Sequence, residues 1–426
     1  MSEVNTKPPI STGELGTIDS VFILRQVYPI AESRNQVLDR GELIIGREPG
    51  HHGHCIADEE SSRRHATVRY DGRRKGYLLA DLNSRNGTYH NGTRIKSIHL
   101  ADGDTIRVGR SIFVFVSGAV SPGATLPHLT PDLSLARALV ESVADRAALS
   151  GLPILIYGPT GAGKERLASR IHGASGRKGR LVSINCGALP GELLGSELFG
   201  HVKGAFSGAQ QARPGLFVTA NSGTLFLDEI GELTLEQQPA LLRACEQGRV
   251  RPVGADRDIE INVRLIAATH RNLDDACAAG SFRTDLLARL RGVTLRLPAL
   301  KDRKDEILML FSQFVHHVPF GRTVAEKLLQ YAWPENVREL KNVAEYVRLF
   351  SEQYGSIHPS HLPERVINSN GNAQPTTRPD RATLEASLRT HHGNVSKVAQ
   401  TFGVHRQQAY RWLTKEALDP SKYRRR

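Results

Sequence analysis

Two segments constrain the fold of this chain more than any others. Leu152-Pro153-Ile154-Leu155-Ile156-Tyr157 is a short apolar run with strand character. Gly158-Pro159-Thr160-Gly161-Ala162-Gly163-Lys164 follows it, and then a helical stretch from Glu165 to about His172. Strand, glycine-rich turn and helix, in that order, let backbone N–H groups turn toward phosphate while Lys164 reaches the outer phosphates. Downstream, Thr224-Leu225-Phe226-Leu227 is a second apolar run ending in Asp228-Glu229. Such a strand end places Asp228 to hold Mg²⁺ through water and Glu229 to polarise an attacking water. Together they predict an α/β domain that binds ATP and Mg²⁺. After Lys164 the general pattern has Ser or Thr as a metal ligand, whereas this chain has Glu165.

Between the two halves of that site lies Gly204-Ala205-Phe206-Ser207-Gly208-Ala209. Small residues flank one large apolar ring and one hydroxyl. The expectation is a mobile loop with an exposed, adhesive tip. An exposed phenylalanine is unfavourable in water unless it touches a partner, so this loop indicates what hydrolysis acts upon.

On these residues, from about Leu129 to Arg365, the chain resembles the AAA+ domain of the bacterial sigma-54-dependent transcriptional activators. Glu197-Leu198-Phe199-Gly200-His201 and Lys203 to Ala209 resemble the family's sigma-contacting loop, with Ser207 where threonine is usual. The resemblance implies that Asn185 couples Glu229 to this loop. It implies that Arg283 and Arg289, in Phe282 to Leu290, are arginine fingers supplied in trans, a device worth ~10³–10⁵ in rate. It makes Arg338, in Trp333 to Leu340, the nucleotide-sensing arginine of an α-helical lid. Two positions depart from the family: Glu335 replaces a usual glycine, and His270, at the end of Leu265 to His270, replaces a usual asparagine. Histidine retains the capacity to hydrogen-bond a phosphate or a water.

The 426 residues suggest about three domains. Ser117 to Asp132 and Asn368 to Arg381 read as linkers rich in Pro, Gly, Ser or other polar residues. Residues 368–426 hold 11 Lys and Arg against 4 Asp and Glu, most of the net +12 of the chain, which is a nucleic-acid footprint. Ala382 to His392 reads as an amphipathic helix with Leu384 and Leu388 on one face, closed by Gly393. Asn394 caps a short second helix through Phe402, Gly403 permits a tight turn, and a third helix runs from about His405 to Lys415. The pattern Asn394, Ala399, Gly403, Val404, Arg406, Tyr410, Leu413 resembles the Fis-type helix-turn-helix. That resemblance sends the third helix into the major groove, with His405, Arg406, Gln407 and Arg411 facing bases and Lys422 and Arg424 to Arg426 near phosphates.

The first 120 residues alternate in short runs: Val21–Val27, Leu43–Arg47, His65–Tyr70, Tyr77–Leu82 and Thr105–Val116. Asp71-Gly72, Asn86-Gly87, Asn91-Gly92 and Asp102-Gly103 punctuate them as turns. This pattern predicts a β-sandwich. Gly46-Arg47, Ser62-Arg63-Arg64-His65 and Asn83 to Thr88 resemble the forkhead-associated (FHA) domain, a phosphothreonine-binding family. The resemblance places phosphate at Arg47 and Ser62, with Arg63 and Arg85 nearby, puts the peptide backbone at Asn86, and makes His65 a brace. Forked arginine donors suit phosphate.

The expected organisation is an all-β FHA sandwich (18–118), a linker (119–132), an α/β P-loop AAA+ core (133–298), its α-helical lid (299–367), a linker (368–381) and an all-α helix-turn-helix (382–426). Four separated cysteines (Cys55, Cys186, Cys245, Cys277), no apolar run of bilayer length and a polar N-terminus without an apolar signal core point to a reduced, cytoplasmic protein. The implied function is sigma-54-dependent activation: binding to enhancer-like DNA, closure into a ring (a hexamer in the family), and remodelling of sigma-54 RNA polymerase under control of a Ser/Thr-phosphorylated partner. Two alternatives stand beside it. One is an AAA+ machine of another kind, such as a chelatase or protein remodeler. The other is an FHA-regulated DNA-binding adaptor with weak or absent ATPase activity.

Overall fold

The computed structural model describes residues 20–51, 53–119, 129–130, 133–189, 191–368, 381–402, 412–413, 416 and 418–423. The N-terminal domain is a sandwich of two sheets. One has six strands in the order Arg34–Val37, Ser20–Tyr28, Ser111–Ala119, Thr105–Val108, Thr88–His90, Thr93–Ile95. The other has five, in the order His54–Cys55, Glu42–Gly46, Ala66–Asp71, Gly76–Asp81, Ser97–His99. Alternation along these strands puts Leu24, Ile45, Val68, Leu79, Ile106, Phe113 and Phe115 between the sheets, each nearly inaccessible to water.

The run Thr105–Val116, read from sequence as one strand, is a hairpin. Val108 pairs with Ser111 across Gly109-Arg110. Gly109 has φ +61°, and a Cβ there would meet the Asp58 carboxylate at 2.3 Å. The turn is therefore set by a residue that can occupy the left-handed region without a side chain. Asn91-Gly92 is the expected two-residue turn, with both φ angles positive and His90 paired with Thr93.

The central domain carries a five-stranded parallel sheet in the order Leu181–Asn185, Thr224–Asp228, Arg264–Thr269, Ile154–Tyr157, Val293–Arg296. Its strands are apolar on both faces, as burial on both faces requires. One face packs with Leu194, Leu198, Phe217, Leu241 and Leu286, and the other with Ala144, Leu167, Ile171 and Leu297. Helices Lys304–Phe314, Arg322–Gln330 and Asn336–Tyr354 follow the core.

The sandwich is docked on this central domain and the helices that follow it. Arg25, on the strand Ser20–Tyr28, is 1% exposed. Its guanidinium donates to Leu133 O (2.7 Å) and Thr130 O and pairs with Asp305 (3.0 Å), itself buried. Tyr28 Oη donates to Phe320 O (3.1 Å), Arg107 pairs with Glu326 (2.8 Å), and Arg322 pairs with Glu60 (2.9 Å). Beside Asp305, Glu306 pairs with Arg303 (2.8 Å) and Arg137 (3.4 Å).

A second compact unit comprises Gln330–Ala332 and Glu364–Arg426. Within it, helices Arg381–Thr390 and Val395–Thr401 enclose Leu384, Leu388, Val395, Val398, Trp412 and Leu413. Asn394 caps the second helix by accepting from Lys397 N (3.2 Å). His405, Arg406, Gln407 and Arg411 lie outside the described residues. Among the described residues, no helix is long and apolar enough to cross a membrane.

Candidate functional site

The phosphate-binding loop sits at the end of the strand Ile154–Tyr157. Gly161 and Gly163 have φ of +74° and +104°, and Gly163 opens the helix Lys164–Ala174. These angles turn the loop back on itself above a helix N-terminus, the arrangement that presents backbone donors to an anion. Lys164 is buried. Its Nζ donates to Gly158 O (3.2 Å) and lies 3.1 Å from Glu229 and 3.9 Å from Asp228.

Asp228 ends the strand Thr224–Asp228, adjacent in the sheet to Leu181–Asn185, and is in register with Asn185. Burial raises the Asp228 carboxyl above its usual range; Lys164 opposes this and the Glu229 charge adds to it. Burial also pushes Glu229 upward, but the His270 hydrogen bond and the Lys164 charge outweigh it and hold this carboxyl below its usual range. Asn185 Oδ1 accepts from Gly187 N (2.8 Å). Glu229 is held instead by Lys164 and by His270 Nδ1 at 2.7 Å.

The loop Gly204–Ala209 rises from a two-strand neck, Gly200–His201 paired with Arg213–Pro214. Gly204 N donates to Ala209 O (2.8 Å) and Ala209 N to Phe206 O (3.0 Å), closing a tight tip with positive φ at Gly204 and Gly208. Phe206 is 41% exposed, touching the His201 ring at 5.1 Å. Ala205 is half-buried beside Gly254, Ser207 is exposed, and Ala209 is buried. Arg283 pairs with Asp285 (2.7 Å) and Arg289 with Glu246 (2.9 Å); both side chains are exposed. Among the described residues, neither guanidinium is hydrogen-bonded to the phosphate-binding loop of its own chain.

Two lid residues that sequence reasoning passed over reach that loop. Asn336 Nδ2 donates to Thr160 O (2.9 Å) and Arg303 Nη2 to Ala162 O (3.0 Å). Arg338 lies in the first turn of the helix that Asn336 begins, its Cβ 3.1 Å from where a Cβ on Gly161 would stand. Glu335 does not require positive φ; the strained positions are its neighbours Trp333 (+49°) and Asn336 (+57°).

On the sandwich, Arg47, Ser62, Arg63, Arg85 and Asn86 gather on neighbouring loops. Arg47 N donates to Ser62 O (3.0 Å), Arg85 N to Ser62 Oγ (3.1 Å), and Asn86 Nδ2 to Glu60 O (2.7 Å). Arg47, Arg85 and Asn86 are exposed, and Arg63 faces Glu48 at 3.7 Å in solvent. His65 is buried beneath them. Its Nδ1 accepts from Ser62 N (3.0 Å), so its Nε2 carries the proton toward Gly87 O (3.2 Å). Burial lowers its basicity and favours this neutral form.

The fold and this constellation define a P-loop nucleotide-binding domain of the AAA+ class joined to an FHA domain. Residues 133–296 match the sigma-54 interaction domain, 43–109 the FHA domain and 301–379 the AAA+ ATPase lid domain. The transcriptional regulatory protein ZraR of Escherichia coli K12 is 37% identical over 72% of this chain and 70% of its own length. The transcriptional regulatory protein GlrR of the same organism is 42% identical over 65% of each chain, so the match spans just under two thirds of that relative. NtrX of Brucella abortus, solved with ADP, superposes with a TM-score of 0.52 at 27% identity, covering 68% of this chain and 70% of that one. The same protein has been solved with ATP, with a TM-score of 0.50. The chain belongs to the family of transcriptional regulators that carry a sigma-54 interaction domain.

Proposed function

We propose that the protein is an ATP-driven, sigma-54-dependent transcriptional activator gated by a phosphothreonine ligand. The observation that carries this reading is the loop Gly204–Ala209: Phe206 is displayed to solvent on a two-strand neck, in a segment that lies in the sequence between the phosphate-binding loop and the Asp228-Glu229 strand end. In this reading Lys164 and the backbone from Gly158 to Gly163 bind the phosphates of ATP, Glu165 stands in the first turn of the helix behind them, and Arg338 senses the nucleotide from the lid. The donor set fits a hydrated Mg²⁺ at Asp228. A single protein carboxylate suits Mg²⁺, which would keep phosphate oxygens and waters as its other ligands. Mg²⁺, when bound, neutralises charge on the phosphates. Glu229 accepts the proton of the attacking water, and Arg283 and Arg289 reach into the site of a neighbouring copy in a ring, a hexamer as in the family. Asn185 stands beside Asp228 to pass the site's state toward the loop, and Phe206 and Ser207 press on sigma-54 in RNA polymerase.

His405, Arg406, Gln407 and Arg411 place the ring on enhancer DNA. Arg47, Ser62, Arg63, Arg85 and Asn86 bind the phosphothreonine of a partner. Asn86 holds the loop whose Glu60 pairs with Arg322 of the lid, so peptide binding and the ATPase unit share a loop.

Promoter opening by sigma-54 polymerase on enhancer-bearing DNA tests the reading. Opening should require ATP, fail with Glu229→Gln and Phe206→Ala, and fall with Ser207→Ala. A phosphothreonine peptide should change output in the wild type and not in Arg47→Ala. Intact opening by Phe206→Ala would return the chain to AAA+ machines of another kind. One observation favours the adaptor reading: Glu229 is engaged by Lys164 and His270. A ring that binds ATP without turnover would establish it.

A further inference from the structure

Arg25 is the point where the N-terminal sandwich enters a buried charge cluster of the central domain and its lid. Arg25, Arg137 and Arg303 meet Asp305, Glu306 and Glu141 there, and each is at most 9% exposed. Among these, Arg25 alone comes from the sandwich. Asp305 and Glu306 both turn onto the start of the helix Leu135–Ala148: Asp305 accepts from Leu135 N (3.2 Å) and Glu306 from Ser134 N (3.2 Å). Each needs a cation, because an unpaired buried carboxylate is strongly unfavourable. Glu306 has Arg303 at 2.8 Å and Arg137 at 3.4 Å. Among the described residues, Asp305 has Arg25, at 3.0 Å, as its one ion-pair partner.

Arg303 has a second task. Its Nη2 donates to Ala162 O (3.0 Å), the carbonyl of the peptide that joins Ala162 to Gly163 in the phosphate-binding loop. A trans peptide directs its N–H away from its C=O. Holding that oxygen therefore aims the Gly163 N–H to the other side, where a helix N-terminus receives an anion. The charge of Asp305, two positions later, already acts on the Arg303 guanidinium: burial lowers the Arg303 pKa, with Arg137 adding, while Glu306 and Asp305 oppose this. Without Arg25, the unpaired Asp305 draws Arg303 toward itself, and one guanidinium cannot serve Asp305, Glu306 and Ala162 O together. We propose that Arg25 is a positioning residue for nucleotide binding: by neutralising Asp305 it keeps Arg303 on Ala162 O, so the sandwich completes the nucleotide site from outside the domain that carries it. This inference rests on the reading of Gly158 to Lys164 as the phosphate site.

The test measures ADP affinity of the full chain by calorimetry and ATP turnover across ATP concentrations, with thermal unfolding to establish that each variant is folded at the assay temperature. Arg25→Gln, which keeps hydrogen-bond donors and removes the charge, should raise the ADP Kd and the KM for ATP by about tenfold, with kcat within about threefold of wild type. Hydrogen exchange at the amides of Gly161 to Lys164 should rise in the same variant. Arg25→Lys, which keeps the charge, should bind ADP within about threefold of wild type. Adding Asp305→Asn to Arg25→Gln removes the unpaired carboxylate and should restore affinity to about the same range. Glu326→Gln, which loosens the sandwich at its Arg107 contact (2.8 Å) and leaves the charge cluster intact, should bind ADP normally. Wild-type ADP affinity in folded Arg25→Gln would overturn the inference. So would an equal loss in Glu326→Gln, which would assign the effect to docking as a whole. A loss of about tenfold in Arg25→Lys would also overturn it, and that variant remains readable if Arg25→Gln does not fold. If Lys164→Ala abolishes ADP binding while Arg25→Gln is normal, only the role of Arg25 falls. If Lys164→Ala binds ADP as the wild type does, the reading of the phosphate site falls and the inference with it.

Discussion

His54 shows how one buried side chain ties the sandwich to pH. It is 4% exposed, its ring meets Phe113 at 5.2 Å, and Arg34 Nε donates to its Nε2 (3.0 Å). Burial, with the Arg34 charge adding, lowers its pKa from the ordinary 6.5 to about 4. The unfolded chain therefore takes up this proton first. Stability is whole above about pH 6.5 and is lost as pH falls toward about 4, by about 3 kcal/mol in full. Hydrogen exchange on the strand Ser20–Tyr28 should show protection falling across this window. His54→Phe, which keeps a ring against Phe113 and cannot titrate, should flatten the fall; an unchanged slope would discount His54. Nothing in the sequence around His54 signals this. The motif Gly158 to Lys164 is legible because its chemistry is contained in seven consecutive residues. His54 acquires its environment from Gln26, Arg34 and Phe113, which only the folded sandwich brings together.

At the scale of elements, the lid helix Asn336–Tyr354 is seated by its first residue. Asn336 occupies φ +57°, which asparagine tolerates better than most residues. It accepts from Leu300 N (2.8 Å) while donating to Thr160 O (2.9 Å). Alanine there loses both bonds, strains the backbone and leaves a buried N–H unpaired, at about 1–3 kcal/mol for the N–H alone. Asn336→Ala should weaken ADP binding by about tenfold and raise hydrogen exchange in the helix; normal ADP affinity would show that the lid is seated by other contacts. The lid motif marks a nucleotide-sensing turn in the sequence, but not the direction of the Asn336 side chain. Likewise, Thr105–Val116 reads as one strand because strand-forming residues flank Gly109, and the turn that Gly109 permits is held by the Asp58 carboxylate, half the domain away, which accepts from Arg110 N.

Across the whole molecule, the docking of the N-terminal sandwich on the central domain was not readable in the sequence. Arg25 lies in an alternating run that reads as an ordinary strand, and its partner Asp305 is 280 positions later. Breaking a buried pair from one side costs about 3–5 kcal/mol, because the remaining charge stays desolvated. Arg25→Leu should therefore destabilise the chain and expose the sandwich–lid junction to protease. Arg25→Leu with Asp305→Leu should recover much of the loss; a double variant no better than the single one would assign the effect to packing or to the Leu133 and Thr130 carbonyls. Glu306 and Arg303, next to Asp305, extend the buried charges to Ala162 O at the phosphate-binding loop.

The Arg25–Asp305 pair also bears on ancestry. A lineage that exchanged its N-terminal domain for another would strand Asp305 without a counter-charge and lose stability before gaining anything from the new domain. The FHA and AAA+ domains of this chain are therefore expected to be inherited together. A descendant with a different N-terminal module should carry a compensating change at Asp305.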